Sequence, residues 1–173
     1  DLPAAEASRY VAAQILGGIA GTVIAHAMFG LPLFEFSMKV RTGGAQWFAE
    51  AVAAFGLLAT ILGGVRFNQS AVPWLVGLYI TAAYWFTAST SFANPAVAIA
   101  RSLTNTFSGI RPIDLPGFIA AELVGAVIGL IRVTLAFTPP GLTSSMIEPS
   151  VSPPWASIDW TWTSRPPTGS RKL

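Results

Sequence analysis

The sequence predicts an all-α membrane protein: a helical bundle of four spanning helices and one re-entrant half-helix. Three observations carry this. The 173 residues are 53% hydrophobic and 10% charged, with a mean hydropathy of +0.59, whereas a soluble domain carries about 25% charged residues. Four apolar runs approach the roughly 20 residues that cross a bilayer as helix. A fifth apolar stretch is far too short to cross, yet it carries a helix-start signal.

The spanning runs, in order, are Tyr10 to Phe29, Trp47 to Val65, Ala71 to Thr87 and Pro116 to Phe137. The third is the shortest, and Pro73 near its start suits a first helical turn. Between the third and fourth lies "SFANPAVAIARSLTNTFSGIRPID". Asn94 is an N-cap residue type, Pro95 fits the first helical position, and Gly109 can end a helix that runs to about Phe107. About 12 residues at 1.5 Å each reach roughly half the hydrocarbon core. That length describes a half-helix in a re-entrant loop, which is tolerated at membrane depth only where protein buries it or water lines it.

Residues 138–173 differ in composition. They hold seven of the 13 prolines and many Ser and Thr, and they read as a disordered tail. Trp155, Trp160 and Trp162 are suited to the membrane interface. The spanning region is therefore residues 1–137.

Several function classes lack support. With no Cys, the chain has neither a disulfide framework nor Cys-based zinc or thiol chemistry. The ten basic residues are scattered, so nucleic-acid binding is not expected. The single His, His26, lies in a span and reads as a packed or lipid-edge residue. No catalytic constellation is present, so an enzyme is not expected, and neither a metal nor a cofactor is called for. The expected surroundings are the lipid bilayer.

An internal repeat organises the spans. "AAQILGGIAG" at 12–21 matches "AAELVGAVIG" at 120–129 at a constant offset. Gln14 falls on Glu122, Gly17 on Gly125 and Gly21 on Gly129. Both copies carry G-x-x-x-G, which lets a second helix approach the backbone closely. A unit of span, span, half-helix and span has an odd number of crossings. Two such units lie upside down to each other, the inverted-repeat plan.

Asn94-Pro95-Ala96 after a span, "AEAVAAFGLLATILG" from Ala49, and the paired Gln14 and Glu122 together resemble the major intrinsic protein family, the aquaporins and aquaglyceroporins. "FANPAVAIAR" is further similar to bacterial members associated with arsenic-resistance loci, where small uncharged metalloid hydroxides are the proposed solutes. The resemblance covers Asp1 to about Phe137. It implies an aquaporin-like fold whose four spans are family helices three to six. Helices one and two and the first Asn-Pro-Ala half-helix would be lacking, so on this reading the chain is a truncated member.

The resemblance also assigns roles. The half-helix start at Asn94-Pro95-Ala96 would face the pore, with the Asn94 amide offering two N–H donors to a solute oxygen. Glu50 would accept hydrogen bonds from the re-entrant loop; an ionisable group in a span is functional by default. The filter would draw on Ser91, three residues before Asn94, and on Val97, three after, where familiar members have Arg. Arg101, four residues past Val97, shares its helix face and would stand in the vestibule. The fifth-helix filter position is Ala82 or Tyr84, depending on the alignment. The implied function is passive conduction of water and small neutral solutes, glycerol or metalloid hydroxides such as arsenite among them. The implied setting is a homotetramer in a bacterial inner membrane. The alternative is a non-conducting remnant that at most associates with intact subunits. Family topology would put the Arg66 loop in the cytoplasm and Lys39, Arg41, Arg101 and Arg111 outside.

Overall fold

The computed structural model describes residues 3–137, and the reading of 138–173 as a disordered tail lies outside them. Five helices follow one another: α1 (Ala4–Phe29), α2 (Gly44–Phe67), α3 (Val72–Phe86), α4 (Pro95–Arg101) and α5 (Leu115–Phe137). Single 3-10 turns, Gln69–Ala71 and Pro112–Asp114, lead into α3 and α5. Among the described residues there is no β-strand.

Three helices are long and apolar enough to cross a membrane: α1, α2, and α5 with its leading turn. The third expected span, already the shortest by sequence, falls short of that length. α3 has 15 residues, about 22 Å at 1.5 Å per residue, against a hydrocarbon core of about 30 Å. Pro73 sets its start, and the chain turns extended at Thr87, where the bend before the half-helix begins. The half-helix is also shorter than expected. α4 has seven residues and stops at Arg101 rather than near Phe107. The Ser102 hydroxyl turns back onto the Ile99 carbonyl at 2.7 Å, and the Ser102 carbonyl takes the Ser37 N–H at 2.9 Å. Residues after 101 thus bond to the α1–α2 loop rather than to a continuing helix.

The two halves of the internal repeat pack differently. On α5, a Cβ added at Gly125 would lie 2.8 Å from the Ala51 Cα of α2, and one at Gly129 would lie 3.1 Å from the Phe55 carbonyl oxygen. Glycine is required at Gly125 because the α2 backbone occupies the space of a side chain, and at Gly129 a Cβ would be tight against it. On α1, a Cβ at Gly17 or Gly21 would meet nothing within 4 Å. α1 instead touches the half-helix through Gly18, beside Ala100, and Thr22, whose hydroxyl reaches the Ala100 carbonyl at 3.3 Å.

The buried core sits where the half-helix meets α5. Phe92, Ala98, Ile110 and Phe118 form it, with Val97, Leu115 and Ile119 against its edge. The Phe92 and Phe118 ring centroids are 5.2 Å apart.

Gly125→Ala should therefore destabilise the chain by about 1–3 kcal/mol, the usual cost of overpacking. Gly17→Ala, in open space within α1, should not destabilise it and should gain up to about 1 kcal/mol from helix propensity. Unfolding transitions of both variants in detergent, followed by circular dichroism, check this; equal shifts would contradict the packing.

Candidate functional site

The segment before the half-helix is a strained bend. Thr90, Ser91 and Ala93 have φ of 65°, 48° and 51°, left-handed values that cost a residue with a Cβ about 1–2 kcal/mol each. Glu50 of α2, with no exposed surface, meets this bend. One of its carboxylate oxygens accepts the Phe92 N–H at 2.9 Å and the other accepts the Ala93 N–H at 2.8 Å. Glu122 of α5 continues the row by accepting the Asn94 N–H at 3.2 Å. Consecutive backbone donors thus find side-chain carboxyl acceptors on two different membrane-length helices, as buried N–H groups must.

Asn94 is extended, and its side-chain oxygen accepts the Ala96 N–H at 2.8 Å, capping α4. That bond fixes which end of the amide is which, because the cap needs an acceptor. The amide nitrogen then faces the Gln14 side-chain oxygen of α1 at 3.4 Å. Of the two N–H donors read from the sequence, one is directed at Gln14. Pro95 occupies the first turn of α4, and Ala96 is buried behind it.

Val97 and Arg101 line one cavity of about 640 Å³ between α1 and the half-helix. Thr22, His26, Phe29 and Thr104 also face it. The Arg101 guanidinium lies over the Phe92 ring at 4.4 Å and the Tyr84 ring at 5.9 Å. Its Nη1 has no hydrogen-bond partner among the described residues. Of the two fifth-helix candidates, Tyr84 is the one beside Arg101; Ala82 is exposed. Neither lines the cavity, nor does Ser91, which is 3% exposed with an unpartnered hydroxyl.

Two groups acquire parts that the sequence did not suggest. His26 is buried, with Nδ1 2.6 Å from the Pro32 carbonyl and Nε2 2.8 Å from the Thr104 hydroxyl. A carbonyl only accepts, so Nδ1 carries the proton. His26 thereby pins the segment after the half-helix to the end of α1. Arg41, for which the sequence suggested only a side of the membrane, is 4% exposed and packed within the protein. Its Nε donates to the Gly109 carbonyl at 2.7 Å, Nη1 to Ser89 at 2.7 Å and Nη2 to Phe107 at 2.8 Å. Burial pushes its guanidinium below the ordinary value, Arg101 acts the same way, and Glu50 opposes them.

The chain is 73% identical over 125 residues to "Aquaglyceroporin AqpS" of Rhizobium meliloti (strain 1021). The match covers 72% of this chain and 54% of the relative, so the chain spans about half the relative's length. No protein-family model matches the sequence, and no solved structure matches it. Membrane-length apolar helices and an Asn-capped half-helix, together with this identity, make the chain a multi-pass membrane protein of the major intrinsic protein family, that of the aquaporins and aquaglyceroporins.

Proposed function

We propose that the chain forms one wall of a passive channel for water and small neutral solutes, glycerol and metalloid hydroxides such as arsenite among them. The observation that carries this is the Asn94-capped half-helix, held by Glu50 and Glu122 and opening onto a cavity shared by Val97 and Arg101. The name of the Rhizobium relative, an aquaglyceroporin, supports the solute class. Nothing is cleaved in such a pore, so no catalytic group is required. The same reading takes the assembled form as a homotetramer in a bacterial inner membrane.

In this pore a neutral solute accepts a hydrogen bond from the Asn94 amide N–H that is not turned to Gln14. The Arg101 cation and the positive end of the half-helix repel cations, hydronium included. At the level of Val97 the wall is short and apolar. A guanidinium there would bring bulk, fixed charge and up to five donors. A valine leaves the passage wider and less polar, which admits solutes larger than water.

The assay uses a chimeric channel in which the matched 125 residues of the Rhizobium relative are replaced by the corresponding residues of this chain. In liposomes it should pass glycerol and water under stopped-flow gradients. Flux no greater than in empty liposomes would favour the non-conducting reading.

Asn94→Asp keeps an acceptor for the Ala96 N–H, so the cap survives, but it removes the amide donor. Solute flux should fall by roughly tenfold, the effect of about 1.4 kcal/mol on the barrier. Unchanged flux with unchanged proton exclusion would remove Asn94 from the pore.

Val97→Arg should depress glycerol flux about tenfold more than water flux, on the same conversion of barrier to rate. Paired water and glycerol gradients on both variants measure it. An equal fall in both fluxes, or none, would show that Val97 does not set the size limit.

A further inference from the structure

The strained bend at 87–93 is held at two points by groups of opposite charge. The Glu50 carboxylate accepts the Phe92 and Ala93 N–H groups. The Arg41 guanidinium donates to the Ser89 carbonyl at 2.7 Å. The remaining Arg41 donors go to Gly109 and Phe107, in the loop after the half-helix, and its own N–H goes to Asp114 at 2.9 Å. The guanidinium carbon also stands 5.1 Å from the Phe92 ring centroid, and Arg101 lies 4.4 Å from that same ring. One side chain from the α1–α2 loop thus joins the entry to the bend, the ring that supports Arg101, and the loop past the half-helix.

Only Arg fits this task. Three carbonyls from two segments converge on one planar fork, each at 2.7–2.8 Å. An ammonium is a point charge on a flexible stem and cannot meet all three in those directions. Arg41 is too buried to touch a passing solute, so whatever it does to permeation it does through the groups it holds.

We infer that Arg41 is a positioning residue for the outer mouth of the pore, clamping the Ser89–Ala93 bend against Glu50 and so fixing where Ser91 and Arg101 stand. This rests on the channel reading above. It makes the α1–α2 loop a determinant of solute preference, although no atom of Arg41 lines the passage.

Two measurements test it. In the chimeric channel, Arg41→Lys and Arg41→Met should each change the ratio of glycerol to water permeability by about threefold or more, consistent with the loss of charged hydrogen bonds at the bend. Equal falls in both permeabilities, or an unchanged ratio, would overturn the inference. If the chimera carrying native Arg41 conducts neither solute, the channel reading fails, and the second measurement judges Arg41 alone. The chain has no Cys, so a thiol at one site is unique. In this chain, Ser91→Cys should react slowly with a methanethiosulfonate reagent, because Ser91 is 3% exposed. Adding Arg41→Lys should raise that rate by about tenfold as the bend loosens, while a thiol at Ala53→Cys, in the packed face of α2, stays unreactive. An unchanged Ser91→Cys rate would overturn the inference, as would equal opening at both sites.

Discussion

The hydrogen bonds that the Phe92 and Ala93 N–H groups donate to the Glu50 carboxylate carry the rest of the structure. Three left-handed residues precede the half-helix, at about 1–2 kcal/mol each. Two hydrogen bonds to a buried carboxylate contribute about 1.5–3 kcal/mol each. The two sides balance, so the bend exists because an acceptor with two oxygens waits in α2. Without the bend, the chain leaving α3 could not turn to place Asn94 at the start of α4. The placement of Val97 and Arg101 along the cavity follows from where that helix starts and which way it runs.

Charge inside an apolar chain is costly, and this fold uses it where backbone groups would otherwise lack partners. Glu50 and Glu122 accept three successive amides. Arg41 donates to three carbonyls. Asp114 accepts the Arg41 N–H and pairs with the Arg111 guanidinium at 2.9 Å. The helices themselves pack through small residues, with α5 laid on the α2 backbone at Gly125 and Gly129. Close packing of α5 on α2 and the polar brace at the bend leave the cavity between α1 and the half-helix.

The sequence made the long helices legible, since apolar length alone identifies α1, α2 and α5. It overstated α3 and α4. Hydropathy does not register that Thr87 leaves the helix for a bend, nor that Ser102 and Thr104 bond to the α1–α2 loop and to His26. Asn94-Pro95 marked the half-helix start because cap and first-turn chemistry are local. Glu50 and Glu122 stood out as rare carboxylates in spans, one of them through its register with Gln14. Arg41 gave no signal: its partners, Ser89, Phe107 and Gly109, lie 48 to 68 positions away. The left-handed backbone at Thr90, Ser91 and Ala93 was equally silent, because none of them is glycine. Between Ala82 and Tyr84 the sequence does not choose; in the fold Tyr84 lies beside the Arg101 guanidinium, and neither residue lines the cavity.

The central claim is that Glu50 holds the bend with both of its oxygens. Glu50→Gln keeps the shape of the side chain but leaves one acceptor and turns an NH2 group against an amide N–H. Site-resolved hydrogen exchange of the chain in lipid nanodiscs measures the outcome at Phe92 and Ala93. Exchange at these amides should rise by about tenfold or more, as for the loss of one charged hydrogen bond, with α2 and α5 protected as before. Unchanged protection at Phe92 and Ala93 in the Gln variant would contradict it.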